Sequence, residues 1–317
     1  MKPIVLFKRK APYIEDELAG DFAMFDYVPA DGVPGADVLA KAKVLVTSGI
    51  EGASAEEMDA MPDLGLICTV GTGYEGVDVA AAKARGIQVT HAASVNAPAV
   101  ADHVFALLLG AVRAIPTYHA SASSGNWRHG IATRPMVAGK RMGIVGMGSI
   151  GLEVARRAVG FDMAVAYMSR REKDDLPWPF LADIKELAEW ADYLVISVPG
   201  GAATHHMINR DVLKALGPDG YVISVGRGSV VKTDDLIAAI RAGEIAGAGI
   251  DVYENEPDIP EGLRDLPNVV LTPHVAGTAN ETRVIAAKLM RGNIEAYLAG
   301  ERPASLVPEL AAELGDG

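Results

Sequence analysis

One cysteine, Cys68 in the apolar run LGLICTV, is all the thiol in this chain. It cannot pair internally, so no disulfide framework holds the fold, which suits a reducing compartment. Such a position favours a small buried hydrophobe over a nucleophile. Basic residues are outnumbered, 29 Lys and Arg against 41 Asp and Glu, for a formal net charge of -12. That balance excludes a broad phosphate-binding face of the kind nucleic acid or anionic membrane requires, so any anionic ligand must meet a local basic site. No stretch approaches the ~18 apolar residues of a membrane span, and the opening MKPIVLFKRK has too short an apolar run for a signal peptide. A cytoplasmic protein is expected. Short repeats and low-complexity segments are also missing.

What is present is a chain of 317 residues, 50% hydrophobic, enough for a sizeable core divided between two domains. The β-rich runs PIVLF, KVLVT, LGLICTV and IQVTH alternate with helical patterns such as SAEEMDAM and DVAAAKAR, the sequence form of repeated βαβ units. SVNAPAVADHVFALLLGAVRAI reads as one long helix, apolar nearly all round and hence buried, with Asn96 placed to cap it and Pro98 in its first turn. After the irregular SSGNWRHGIATRPMVAGK, the alternation restarts with RMGIVG, MAVAY, DYLVIS, GYVISV, AGAGIDV and NVVLTP. A second parallel sheet is implied. The last regular element, NETRVIAAKLMRGNIEAYLAG, is an amphipathic helix followed by a Pro-containing tail.

The pattern G-x-G-x-x-G occurs twice, as Gly71, Gly73, Gly76 in GTGYEG and as Gly146, Gly148, Gly151 in GMGSIG. With 34 glycines, about 0.4 matches arise by chance, so context must decide. The second match follows a strand, opens the helix SIGLEVARRAVGF and leads to the further strand MAVAY, the order of a dinucleotide site. The first carries Glu75 and Asp78 where a phosphate would lie, and like charges oppose a pyrophosphate there.

Where NAD-preferring enzymes place an acid for the ribose 2′-hydroxyl, MAVAY runs instead into Ser169, Arg170 and Arg171. A hydroxyl and guanidinium forks suit a 2′-phosphate, so NADP(H) preference is expected, with NAD still usable. The alternative is a solvated turn whose arginines balance Glu172, Asp174 and Asp175.

Three later strand ends offer Arg227 in SVGRGSVV, Glu256 in IDVYENEP and His274 in LTPHVAG. Reducing a 2-oxo acid needs a cation for the carboxylate and carbonyl, a proton donor titrating near neutrality, and a group that holds the donor. These three residues meet that need, although spacing alone also allows each a structural role. His91, His103, His119, His129, His205 and His206 lack metal-type spacing and read as structural or surface residues, so no metal is expected.

Taken together, VGTGYEGVD, SVNAPAVADHVFALLL, GKRMGIVGMGSIG, SVGRGSVV, GIDVYENEP and LTPHVAG resemble, in order and approximate spacing, the D-isomer-specific 2-hydroxyacid dehydrogenases, most closely their glyoxylate/hydroxypyruvate reductase branch. The resemblance spans nearly the whole chain. It implies an α/β fold of two Rossmann-like doubly wound parallel-sheet domains, a cofactor domain at residues 98–286 inserted into a flavodoxin-like substrate domain at residues 1–97 and 287–317. It implies that Arg227 binds and polarises the 2-oxo acid, that His274 protonates the carbonyl oxygen, and that Glu256 orients His274 and favours its charged form. Backbone amides of Val70 and Gly71 would hold the substrate carboxylate, with Ser48 and Gly49 nearby. On the cofactor side it implies Gly148, Ser149 and Ile150 at the pyrophosphate, with Gly146 and Gly151 in the same fingerprint. Val198, Pro199, Thr204 and Val225 would line the cofactor site, and Asp251 would meet the nicotinamide amide. A homodimer is implied, with the long helix from Pro98 in its interface. Trp127 either reaches the partner's active site or is a plain interface or core residue. The activity expected is NADPH-dependent reduction of small 2-oxo acids, glyoxylate and hydroxypyruvate first. Bulkier arylpyruvates or 2-ketogluconate are the alternative, and a dinucleotide-sensing corepressor is a third reading.

Overall fold

In the computed structural model, which describes residues 2–28, 32–128 and 131–312, the two runs of βαβ alternation form two parallel sheets. The first contains β1 (Ile4–Phe7), β2 (Ala23–Asp26), β3 (Ala42–Thr47), β4 (Leu66–Thr69) and β5 (Gln88–Thr90), in the order β2-β1-β3-β4-β5. That is the flavodoxin-type order. Only β2 escapes the sequence pattern: it is an edge strand with no buried residue, so it lacks the apolar run that marks its neighbours.

The second sheet contains β6 (Arg141–Val145), β7 (Ala164–Met168), β8 (Tyr193–Ile196), β9 (Tyr221–Ser224), β10 (Gly247–Ile250) and β11 (Val269–Leu271), in the order β11-β10-β9-β8-β6-β7. Beyond β7, a single parallel bridge from Tyr167 to Phe180 stands where a Rossmann sheet has its next strand. Every residue of β8, β9 and β10 is buried, as expected of parallel strands covered on both faces. Strand order reverses between β6 and β8, so the crevice outside their C-terminal ends is the ligand position of this architecture.

The helix Ala97–Val112 buries Val100, Val104, Leu107 and Leu108. Its seat is prepared by Gly249 in β10, where a Cβ would lie 2.8 Å from Leu107 Cβ. The expected long helix is present as one element, ending at Val112 a few residues before Ile115, and a second helix that was not expected follows it. Ala114 takes a left-handed φ of 52°, and Ile115–Ser123 begins anew with a proline in its first turn. Pro116 lacks an N–H and would clash with the preceding turn, so the first helix cannot run through it. Among the described residues no single helix is long and apolar enough to cross a membrane.

The chain divides into one unit of Met1–Asn96 with Thr278–Gly317 and a second of Ala97–Gly277. The return to the first unit therefore comes before the expected residue 287. The helix Asn280–Leu298 belongs there from its first turns: Arg283 lies over the Tyr13 ring at 5.8 Å, and Arg291 pairs with Glu17 and Asp21. The tail then joins β5, Val307 N donating to Val89 O at 2.9 Å. Cys68 is buried in this unit, and burial pushes its thiol up to about 12, which leaves it inert at neutral pH.

Candidate active site

The three glycines after β6 serve three different ends. Gly146 has φ 99°, and a Cβ there would come within 2.8 Å of Val198 Cγ1. Gly151 lets the following helix close on the strand end, since its Cβ would fall 2.1 Å from Gly146 O. At Gly148 a Cβ would meet nothing within 4 Å, so the backbone is open to a ligand. Gly148 is also the N-cap of Ser149–Gly160, a helix with no side-chain cap. The first-turn amides of Ser149 and Ile150, at the positive end of the helix dipole, thus face the crevice mouth. This cradle fits a dinucleotide pyrophosphate.

Around it stand the other residues expected on the cofactor side. Val198 and Pro199 follow β8, Thr204 donates to Pro199 O at 2.7 Å, and Val225 follows β9 with its amide on Ile196 O at 3.1 Å. Ser169, Arg170 and Arg171 follow β7, whose last carbonyl, Met168 O, accepts from Gly146 N at 2.8 Å. The Ser169 hydroxyl donates to the Arg171 carbonyl. Both arginines are exposed, and among the described residues neither forms an ion pair with Glu172, Asp174 or Asp175.

In the first unit, the other glycine pattern packs one loop on another. A Cβ on Gly52 would strike Gly76 O at 1.8 Å and one on Gly49 would meet Gly73 O at 2.8 Å, while Gly76 N donates to Gly49 O at 2.8 Å. The acid that argued against phosphate, Asp78, caps the helix Val79–Ala84 by accepting from Ala81 N. Ser48 donates to the Glu51 carboxylate, which Arg9 also holds at 2.8 Å. Val70 N donates to Thr47 O at 2.8 Å, which commits that amide to β3. Of the two positions expected to hold a carboxylate, Gly71 has the open surroundings, with nothing within 4 Å of a Cβ. Asn96, expected as a cap, accepts from Thr72 Oγ1 at 3.2 Å.

Arg227, Glu256 and His274 follow β9, β10 and β11, neighbours in one parallel sheet, so all three loops emerge at the same edge. Gly228 lays the Arg227 loop against the loop after β10: a Cβ would sit 1.9 Å from Tyr253 C. Arg227 Nη1 donates to Gly226 O at 2.9 Å. Glu256 uses both oxygens. Oε1 accepts from Tyr253 N at 3.0 Å and closes its own turn, while Oε2 lies 2.7 Å from His274 Nδ1. An ionised carboxylate only accepts, so Nδ1 carries the hydrogen and Nε2 is left to face a reactant.

His274 has φ 53°, a left-handed conformation that costs a non-glycine residue about 1–3 kcal/mol. Behind it stands Asp251, fully buried. Its main-chain O accepts from His274 N at 2.8 Å, and its carboxylate accepts from Val275 N at 2.9 Å and Ala276 N at 3.0 Å. Tyr253, its phenol pushed up to about 12 by burial and by the charges of Asp251 and Glu256, donates to Thr272 O at 2.9 Å.

Sequence reasoning missed two members of this cluster, Thr272 and His103, which meet at 2.9 Å. No sequence pattern could pair residues 169 positions apart. The remaining histidines lie elsewhere: His91 Nδ1 is 2.8 Å from Thr72 O, His206 is held by Glu254 at 2.5 Å and stacks on His205, and His119 is exposed. His129 lies outside the described residues. No cluster of three His, Cys, Asp or Glu able to hold a metal is present among the described residues. Trp127 is 76% exposed, which rules out the core reading of that side chain.

Residues 105–276, which include all three strand-end residues, match the family described as D-isomer specific 2-hydroxyacid dehydrogenase, NAD binding domain. The chain is 38% identical to hydroxyphenylpyruvate reductase of Plectranthus scutellarioides, covering 91% of this chain and 93% of that one. It is 37% identical to glyoxylate reductase of Pyrococcus furiosus over 97% and 96% of the two chains. Among solved structures, the NADPH-dependent glyoxylate/hydroxypyruvate reductase of Sinorhizobium meliloti, in complex with NADP and malonate, superposes with a TM-score of 0.89 at 36% identity, covering 98% of each chain. With the two parallel sheets, the glycine cradle and these likenesses agreeing, the chain belongs to the D-isomer specific 2-hydroxyacid dehydrogenase family.

Proposed function

We propose that this protein is a cytoplasmic, NADPH-dependent reductase of small 2-oxo acids, glyoxylate and hydroxypyruvate first, yielding D-2-hydroxy acids. The observation that carries the reading is the His274–Glu256 contact of 2.7 Å at the same sheet edge as Arg227 and the glycine cradle. In this reading the Arg227 fork binds the substrate carboxylate and draws charge toward the carbonyl oxygen. His274 Nε2 gives that oxygen its proton, and Glu256 keeps the ring turned to do so. NADPH held by the glycine cradle would supply the hydride for the carbonyl carbon. Gly146, Gly148, Ser149, Ile150 and Gly151 hold the pyrophosphate, with Val198, Pro199, Thr204 and Val225 lining the same crevice. Asp251, being fully buried, serves the nicotinamide site through the turn it holds. The second unit is thus the cofactor domain and the first the substrate domain. A homodimer completes the assembly, with the exposed Trp127 on the side that meets the partner.

A panel of glyoxylate, hydroxypyruvate, pyruvate, phenylpyruvate and 2-ketogluconate, with NADPH and NADH consumption followed at 340 nm, tests the activity. The two small acids are expected to give the highest kcat/KM. Likeness to a hydroxyphenylpyruvate reductase supports the second reading, a pocket for aryl substrates, and a preference for phenylpyruvate would establish it. Absence of turnover with every acid would favour a sensing role.

The choice of phosphate-bearing cofactor rests on Ser169, Arg170 and Arg171, and likeness to a reductase that is NADPH-dependent supports it. Replacing both Arg170 and Arg171 by Ala is expected to raise KM for NADPH about 30-fold or more, the loss of two exposed charge-assisted contacts. KM for NADH should stay within about threefold. An equal rise for both cofactors would show that the arginines do not read the 2′-phosphate.

A further inference from the structure

His103 sits on the core helix Ala97–Val112, partly buried, with Nε2 2.9 Å from Thr272 Oγ1. Thr272 Oγ1 in turn lies 2.6 Å from Asp251 Oδ1, and His103 Nε2 is 3.6 Å from the same oxygen. The hydrogens in this chain can be assigned by counting. Asp251 Oδ1 accepts from Val275 N and Oδ2 from Ala276 N, as an ionised carboxylate does. The one Thr272 hydroxyl hydrogen must then point at Asp251, because two bare oxygens 2.6 Å apart would repel. With that hydrogen spent, Thr272 Oγ1 can only accept from the imidazole. His103 therefore carries a hydrogen on Nε2.

The direction of these bonds gives the cluster a purpose. The imidazole pins the Thr272 hydroxyl, the hydroxyl pins one oxygen of Asp251, and the two oxygens of Asp251 hold the amides that immediately follow His274. His274 occupies a left-handed conformation that its own side chain does not favour, so the turn depends on such anchors. A buried carboxylate is retained where it is fully hydrogen-bonded, and apolar packing would have filled the same space without needing three partners.

We propose that His103 is a positioning residue for the reaction, holding the left-handed turn at His274 through Thr272 and Asp251 so that His274 Nε2 faces the substrate carbonyl. The inference rests on the reading of His274 as the proton donor. His103 touches no reactant in this scheme. It acts from the helix behind the sheet, and removing its donor frees the Thr272 hydroxyl to turn from Asp251.

Three substitutions separate the donor from mere bulk. In His103→Gln the amide nitrogen lies as many bonds from Cβ as Nε2 does, so it can still reach Thr272; in His103→Asn the amide stops short, and His103→Leu has no donor. The Asn and Leu proteins are expected to lose about tenfold in kcat for glyoxylate with KM unchanged within about twofold, and Gln to recover to within about threefold of wild type. Thr272→Val, which cuts the same chain from its other side, should match Leu and serves should Leu fail to fold. Wild-type rates in Leu, Asn and Val, or a Gln protein as slow as Leu, would overturn the proposal. In protein labelled with 15N-histidine, the His103 Nε2 is expected to show a bonded hydrogen, and the His274 ring signals should move in Leu and Asn but not in Gln. A bare His103 Nε2, or His274 signals indifferent to all three changes, would equally overturn it. Those spectra are read whether or not any 2-oxo acid is turned over. A wild-type protein without turnover would sink the reductase reading alone.

Discussion

Replacing His274 with Ala is expected to lower kcat for 2-oxo acid reduction at least ~100-fold, the contribution of a positioned general acid. The effect should fall on the chemical step. Ala occupies φ 53° no less awkwardly than His, and the amides of residues 274–276 keep their Asp251 acceptors, so the turn itself should survive. NADPH affinity, read from quenching of protein fluorescence, should stay within about threefold because the pyrophosphate cradle is built from the β6 loop. Loss of the ring also strands Glu256 Oε2, but that side chain is one-quarter exposed, so water can replace the imidazole. A near-wild-type rate would move the acid to another residue.

Arg227→Gln should be as damaging, lowering kcat/KM for glyoxylate by about 100- to 1,000-fold, the usual loss when a donor aimed at developing negative charge is removed. Arg227→Lys isolates the geometry. An ammonium keeps the charge but offers a point where the guanidinium offers a planar fork, so Lys should recover only part of the rate, leaving a deficit of about 30-fold. Both parameters should suffer, since the contact exists in the bound substrate and strengthens as the carbonyl gains charge. Equal losses in the two variants would make the residue a shaper of the Gly226–Gly228 turn, and unchanged kinetics would remove it from the site.

Much of this molecule could be read along the chain because the relevant signals are local. Apolar runs of strand length mark β1 and β3 to β11, and β2 fails to appear because an exposed edge strand needs no such run. The glycine patterns were separable by neighbouring charge: Asp78 already caps its own helix, while Gly148 leaves a helix end uncapped. Other expectations depended on where chain segments meet. Val70 looked like an anion donor until β3 took its amide, and the helix Ile115–Ser123, which carries no buried residue, went unread beside the long apolar helix before it. The domain return lies at Thr278 because Arg283 and Arg291 find their partners in the first helix of the chain and just beyond it.

The sequence by itself determined the two parallel-sheet units, the cradle at Gly146, Gly148 and Gly151, and the candidacy of Arg227, Glu256 and His274. Periodicity, glycine spacing and position at a strand end are properties of a few consecutive residues, and they survive without knowledge of the fold. Tertiary structure alone decided that Glu256 and His274 touch, that the decoy glycines knit two loops of the first unit together, and that His103 belongs with Thr272 and Asp251. A hydrogen bond requires donor and acceptor to approach within about 3 Å, and for residues 169 positions apart that distance is set by the packing of a helix on a sheet.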